Sequence, residues 1–219
     1  MEMHEHKKGM NAQCPANADC SPSAAALAVK HLLDRLLAAI SLLFFSPLFL
    51  IIYIAIKIEG RGPAIFKQKR VGQGEKTFKL YKFRSMKVDA EKGGKPQLWA
   101  GDEDERLTKV GRFIREHHLD ELPQFWNIWK GDMSFVGYRP ERQYFIDKIM
   151  AENPDYAKLY AMRPGVFSNA TLYNGDTDTM EKMLKRLDMD LEYLNNYSLW
   201  IDIVIIFKTG ISILTGRKF

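Results

Sequence analysis

The sequence predicts a mainly α protein with one small β-hairpin and a kinked, membrane-embedded segment near its start. Three observations carry this: one long uncharged apolar run broken at Ser46-Pro47, a basic stretch turning at Gly72-Gln73-Gly74, and helical apolar spacing through most of the rest. At 219 residues the chain can bury one sizeable core. Mean hydropathy is -0.27 although 46% of residues are hydrophobic, so any membrane contact must be concentrated locally. The net charge of +5 and pI near 9.1 suit anionic lipid, phosphorylated substrates and nucleic acid equally well.

Residues 1–26 are expected to form a disordered leader. Its Cys14 and Cys20, even with His4 and His6, match no structural zinc spacing, and two unpaired thiols fit a reducing cytoplasm. Residues 27–59 form the membrane segment. From Leu36 to Ile56 there is no charge, a run long enough to cross a bilayer core. Pro47 removes a helix hydrogen bond in its middle and presses on the Leu43 carbonyl, so a kink is expected after Ser46, whose hydroxyl can satisfy freed carbonyls. Basic residues flank both ends, Lys30, His31 and Arg35 before and Lys57, Arg61 and Lys67 after, which favours both ends on the cytoplasmic side. The residues alone allow either a kinked span or a re-entrant hairpin, each of whose arms would reach about 15 Å deep.

Residues 60–219 make the polar body. Arg61 to Lys87 holds nine Lys or Arg residues and one acid, Glu75, interleaved with aromatics. The pattern reads as a hairpin against lipid headgroups; a nucleic-acid surface is the competing reading, and Lys82 and Arg84 are candidate phosphate contacts. Asp89 to Glu105 reads as a surface loop, and Arg106 to Glu116 as a helix with a basic polar face.

In HHLDELPQFWNIWKGD, apolar Leu122, Phe125, Trp126 and Trp129 recur at helical spacing after Pro123, and Gly131 supplies a stop. Asp120 is expected near the N-cap, where the plain role is capping. Its company suggests more. Arg115 precedes the Asp120-Glu121 pair and Arg139 follows it, and arginine forks suit a diphosphate whose remaining charge a divalent cation can neutralise. Arg163, in Met162-Arg163-Pro164-Gly165, is a further candidate phosphate ligand or a solvated turn cation. His117 and His118 receive no role. Met180 to Asn195 reads as an amphipathic helix. Ser198 to Thr215 reads as an interfacial helix with Trp200 at headgroup level, because Asp202 and Lys208 make a deep span unfavourable.

The stretches GPAIFKQKRVG, YKFRSM, LTKVGRFIR, LDELPQFWNIWKGDMSFVGYRPE, MRPG and NNYSLWIDI, with Ser46-Pro47 and the Lys30-to-Arg35 entry, resemble the bacterial sugar transferase family over about Lys30 to Gly216. Within it, the sequence resembles the small, catalytic-domain-only monotopic polyprenyl-phosphate phosphoglycosyl transferases. The resemblance implies a re-entrant membrane helix broken at Ser46-Pro47, interfacial helices and a compact catalytic domain on the cytoplasmic face of a bacterial inner membrane. It also implies an activity: Asp120 attacks the β-phosphorus of a UDP-sugar and releases UMP, and undecaprenyl phosphate then takes the phosphosugar. Glu121 and Asp120 would hold Mg²⁺, Arg115 would steady the dyad, and Arg139 and Arg163 would contact phosphate. A homodimer is left open, and no nucleic-acid partner is expected. Two departures stand out: Tyr138 replaces a usual proline, and FSNATLYNG replaces a usual ITGWAQVNG, which leaves the sugar undetermined. The rival readings are a glycosyltransferase releasing UDP and a non-enzymatic membrane scaffold.

Overall fold

The computed structural model describes residues 23–90, 104–175 and 177–215. Most of the expected leader, with Cys14, Cys20, His4 and His6, lies outside them, as do most of the Asp89–Glu105 loop, Arg217 and Lys218. The chain is mostly helical with one antiparallel hairpin, as expected. Helix α1 (Ala24–Phe44) starts slightly before the expected end of the leader, because the Ser23 hydroxyl accepts the Ala26 N–H at 3.2 Å. It stops at Phe45, and α2 (Ser46–Glu59) begins with Pro47 in its first turn, where a missing N–H costs nothing. Ser46 Oγ donates to the Leu43 carbonyl at 2.7 Å, satisfying an acceptor that the break frees. The two helices are bent by 61°. Among the described residues no single helix is long and apolar enough to cross a membrane. The bent pair meets the length and composition of a broken span or a re-entrant loop. Leu36, Ile40, Phe44, Leu50, Ile51 and Ile58 are all exposed.

Strands β1 (Ile65–Val71) and β2 (Thr77–Phe83) pair from Ile65↔Phe83 to Val71↔Thr77, and Gly74 at φ 61° helps turn the hairpin. Helix α3 (Lys109–Glu116) is shorter than the expected Arg106–Glu116. Thr108 caps it, and Leu107 instead forms a bridge with Met86. Two features fix α3 to its neighbours. Glu59, at the end of α2, accepts the Val110 N–H at 3.0 Å, and Gly111 lies so close to β2's extension that a Cβ would stand 1.9 Å from the Ser85 carbonyl. Ile52 and Ile56 of α2, Phe83 and Ile114 form a small core that locks α2 onto the body.

The larger core gathers Ile128 of α4 (Gln124–Lys130), Val136 of β3 (Ser134–Val136), Ile146 of α5 (Gln143–Glu152), Leu159 of the 3₁₀ segment Pro154–Ala161, and Leu187 of α7 (Met180–Asn195). Between them lies a second sheet that the sequence did not announce, β3 parallel to β4 (Gly165–Phe167). Gly137 and Gly165 permit it, since a Cβ on Gly165 would lie 2.1 Å from the Gly137 nitrogen. Helix α6 (Asn169–Asn174) follows. Helix α8 (Leu199–Leu214) is then tied back to α1 by a buried Lys30–Asp202 ion pair at 2.6 Å. Trp200 is 71% exposed.

Candidate active site

Asp120 and Glu121 sit in a 3₁₀ turn (Leu119–Glu121) between α3 and α4. The cap of α4 is Pro123, with no side-chain cap bond, so Asp120 does not play the capping role its sequence position suggested. Its position is instead set by His118, whose left-handed backbone (φ 54°) turns the chain sharply out of α3. That conformation is costly for a side-chain-bearing residue, and such strain concentrates at functional sites.

Lys82 reaches the turn from β2. Its Nζ lies 2.6 Å from Glu121 Oε1 and 4.0 Å from Asp120 Oδ2. Arg139, just past β3, donates to the same Glu121 oxygen at 3.1 Å. The supports of these cations are long-range. Fully buried Asn127 on α4 accepts the Tyr81 N–H at 3.0 Å and donates to the Lys79 carbonyl at 2.7 Å, which fixes β2, and so Lys82, against the dyad. Behind Arg139, Glu141 is clamped by Arg70 at 3.0 Å and Arg186 at 2.6 Å, and Asp190 accepts the Arg139 backbone N–H.

The dyad is electrostatically asymmetric. Burial pushes Asp120 up, Lys82 only partly offsets this, and the charge of Glu121 adds to it. Burial also pushes Glu121 up, yet Lys82 and Arg139 outweigh it and hold Glu121 well below the usual carboxylate range. One carboxylate is thus a fixed anion, and the other, less neutralised, is the more basic.

Both line a cavity of about 630 Å³. Lys82, Arg112, Arg115 and Arg139 line it, as do Leu37, Ser41 and Phe45 from the bent α1–α2 pair and Ile206, Thr209 and Ile213 of α8. The departing segment FSNATLYNG contributes Phe167, Ser168, Thr171 and Leu172 to its wall. Tyr138 does not reach the cavity; it fills the larger core, fully buried.

Of the residues singled out from sequence, Asp120, Glu121, Arg115, Arg139 and Lys82 are brought together. Arg84 and Arg163 are not. Arg84 is buried and donates to the carbonyls of Arg61 (2.7 Å), Gly60 (3.0 Å) and Ile56 (3.3 Å), where it staples the end of β2 to the end of α2. Arg163 lies beyond the opposite end of α4, against Gly131 and Arg35. Sequence reasoning passed over Asn127, Glu59, Arg112, Arg186 and the bend at His118. None of them belongs to a local pattern, although an asparagine inside an apolar helix is a detectable anomaly.

No group of three or more His, Cys, Asp or Glu side chains among the described residues is arranged to hold a metal. Two adjacent carboxylates nevertheless suit Mg²⁺, which commonly takes one or two carboxylates and completes its shell with substrate phosphate and water. Lys82 and Arg139 both bind Oε1 of Glu121, and the chemistry of two adjacent carboxylates fits such an ion.

A buried carboxylate pair beside cations, on the wall of a cavity that the bent helix pair also lines, is the arrangement this chain presents. The chain belongs to the bacterial sugar transferase family, which it matches over residues 25–216. It is 43% identical over 188 residues to the UDP-N-acetylgalactosamine-undecaprenyl-phosphate N-acetylgalactosaminephosphotransferase of Aeromonas hydrophila, a match covering 86% of this chain and 44% of the relative. Identity is 42% over 183 residues to the UDP-glucose:undecaprenyl-phosphate glucose-1-phosphate transferase of Escherichia coli, covering 83% of this chain and 39% of the relative. The enzyme of the same description from Caulobacter vibrioides is 40% identical over 188 residues, covering 85% of this chain and 70% of the relative. The chain thus spans less than half the length of the first two relatives.

Proposed function

We propose that this chain transfers a sugar 1-phosphate from a UDP-sugar to undecaprenyl phosphate, with Asp120 as the covalent nucleophile. One observation carries the reading: Asp120 is buried on the wall of a cavity that cations and residues of the bent α1–α2 pair both line, and it caps no helix. An Asp120 oxygen attacks the β-phosphorus of the donor, the bridging P–O bond breaks, and UMP leaves with the electron pair. An oxygen of the lipid phosphate then attacks the same phosphorus, the aspartyl O–P bond breaks, and the carboxylate is restored as the polyprenyl diphosphate sugar departs. Dividing the transfer in this way needs no separate base, because the nucleophile is already an anion.

Glu121 stays ionised and holds Lys82 and Arg139 beside the reacting phosphorus; Arg115 and Arg112 face the donor's phosphates. Asp120 and Glu121 would hold Mg²⁺, which when bound would neutralise diphosphate charge. The bent α1–α2 pair sits as a re-entrant segment in the cytoplasmic membrane with α8 along its inner face, so that lipid enters at Leu37, Ser41 and Ile213 and the nucleotide from water. The relatives' names support a UDP-sugar and undecaprenyl phosphate as partners, and they differ in the sugar.

The test is incubation with UDP-sugars and Mg²⁺ without lipid, followed by mass spectrometry. A phosphosugar adduct on Asp120 with one equivalent of UMP is expected, and Asp120→Asn should abolish both. Release of UDP in place of UMP, or full activity in Asp120→Asn, overturns the mechanism.

A further inference from the structure

A second basic cluster lies beyond the C-terminal end of α4, away from the dyad. Arg35 Nη2 and Arg163 Nη1 stand 2.7 Å and 3.4 Å from the point that a Gly131 Cβ would occupy. The two nitrogens are therefore no more than about 6 Å apart, a separation at which like charges repel appreciably. Neither guanidinium has a hydrogen bond or ion pair among the described residues, and Arg163 Nη1 is buried without a partner. One helical turn before Arg35, His31 presents a second buried, unpartnered donor or acceptor, Nε2.

The nearby acids are already engaged. Asp34 accepts the Phe135 N–H at 3.3 Å and lies 3.8 Å from Lys30, although its Oδ2 has no hydrogen bond. Asp132 takes Lys130 at 2.9 Å and Asn127 at 3.2 Å. The negative end of α4 draws cations to this place, but neither guanidinium donates to its last carbonyls. Two converging forks over a glycine, with buried donor capacity unspent, are a receptor for a tetrahedral anion.

We propose that Arg35, Arg163 and His31 bind a phosphate group at a site distinct from the dyad, and that the phosphate belongs to a membrane phospholipid headgroup. The membrane assignment comes from α1 itself: Leu32, Leu33 and Leu36, beside His31 and Arg35, are all more than half exposed, so the anion site adjoins an apolar surface. The consequence would be to fix the depth of α1 in the bilayer.

The experiment uses the full chain in a maltoside detergent and needs no turnover. Binding of dihexanoyl-phosphatidylglycerol, dihexanoyl-phosphatidylcholine and inorganic phosphate is measured by thermal shift and by intrinsic fluorescence. The wild type should bind phosphatidylglycerol with saturation, and the Arg35→Gln/Arg163→Gln double variant should bind it about tenfold or more weakly, as loss of charge-assisted hydrogen bonds requires. Arg35 is exposed, so Arg35→Gln alone, checked by circular dichroism, serves if the double variant does not fold; it should weaken binding in the same direction. Saturable binding of inorganic phosphate without lipid binding, lost in the variants, would keep the anion site and overturn its assignment to lipid. Equal binding by wild type and variants, or no binding of any probe, overturns the proposal.

Discussion

Replacing Lys82 with methionine should shift the pH dependence of turnover rather than simply lower it. The Lys82 ammonium lies 4.0 Å from Asp120 Oδ2 and 2.6 Å from Glu121 Oε1. At 4 Å two unit charges interact by about 4 kcal/mol at an effective dielectric of ~20 and by about 1 kcal/mol in water. The Lys82 side chain is 21% exposed on a cavity wall, so a value of about 2 kcal/mol is apt, equivalent to roughly thirtyfold in rate. The direction follows from which protonation state reacts. Asp120 is already pushed up by burial, and since its ionised form is the nucleophile in the proposed mechanism, activity should be lost as pH falls through its value. Removing the nearest cation pushes it up further, so Lys82→Met should lose about tenfold to a hundredfold at pH 7 and regain much of that at pH 9. Lys82→Arg should stay close to wild type. The assay is UMP release across pH 5.5–9.5 at saturating donor and lipid. A uniform loss at every pH, with the acid limb unmoved, would refute the reasoning and show that Lys82 acts on the substrate's phosphate alone and does not tune Asp120.

The remaining predictions concern stability. Burial pushes Asp190 up to about 7, so between pH 4 and 7 the folded state binds more protons than the unfolded one and stability falls as pH rises. Asp190→Asn removes that loss, and its stabilisation over wild type should grow by up to about 4 kcal/mol from pH 4 to pH 8 in urea melts; a constant difference would refute it. Gly111→Ala should cost at least about 2 kcal/mol, because its Cβ meets the Ser85 carbonyl and must push α3 off β2; an unchanged denaturation midpoint would contradict the packing. Arg84→Met should destabilise by about 2–4 kcal/mol by leaving three carbonyls unpaired, with the donor KM unchanged. A selective rise in KM would return Arg84 to a phosphate-binding role.

Local chemistry explains what could be read early. Pro47 after Ser46 interrupts the apolar run, Gly72 and Gly74 turn a hairpin, and the limits of α7 follow from its amphipathic period. The error at Asp120 was also local. Pro123 fits a first turn, but the left-handed His118 inserts a separate 3₁₀ turn that moves the carboxylate off the cap. Arg84 misled for a related reason: a strand alternates its side chains, and Lys82 and Arg84 share a parity, yet β2 ends at Phe83 and the chain beyond it turns into the α2 junction.

The sequence by itself determined the adjacency of Asp120 and Glu121, the broken apolar segment and the likeness to one family, since each is written in neighbouring residues. Only the tertiary structure decided which cations meet the dyad. Lys82 arrives because Asn127 bridges α4 to β2, and Arg139 because two glycines let β3 and β4 approach. Arg163, four residues from β4's Phe167, is carried by the same close approach to the far end of α4. Those placements depend on contacts between segments distant in the chain, and no residue's period or neighbours encode which distant surface it will face.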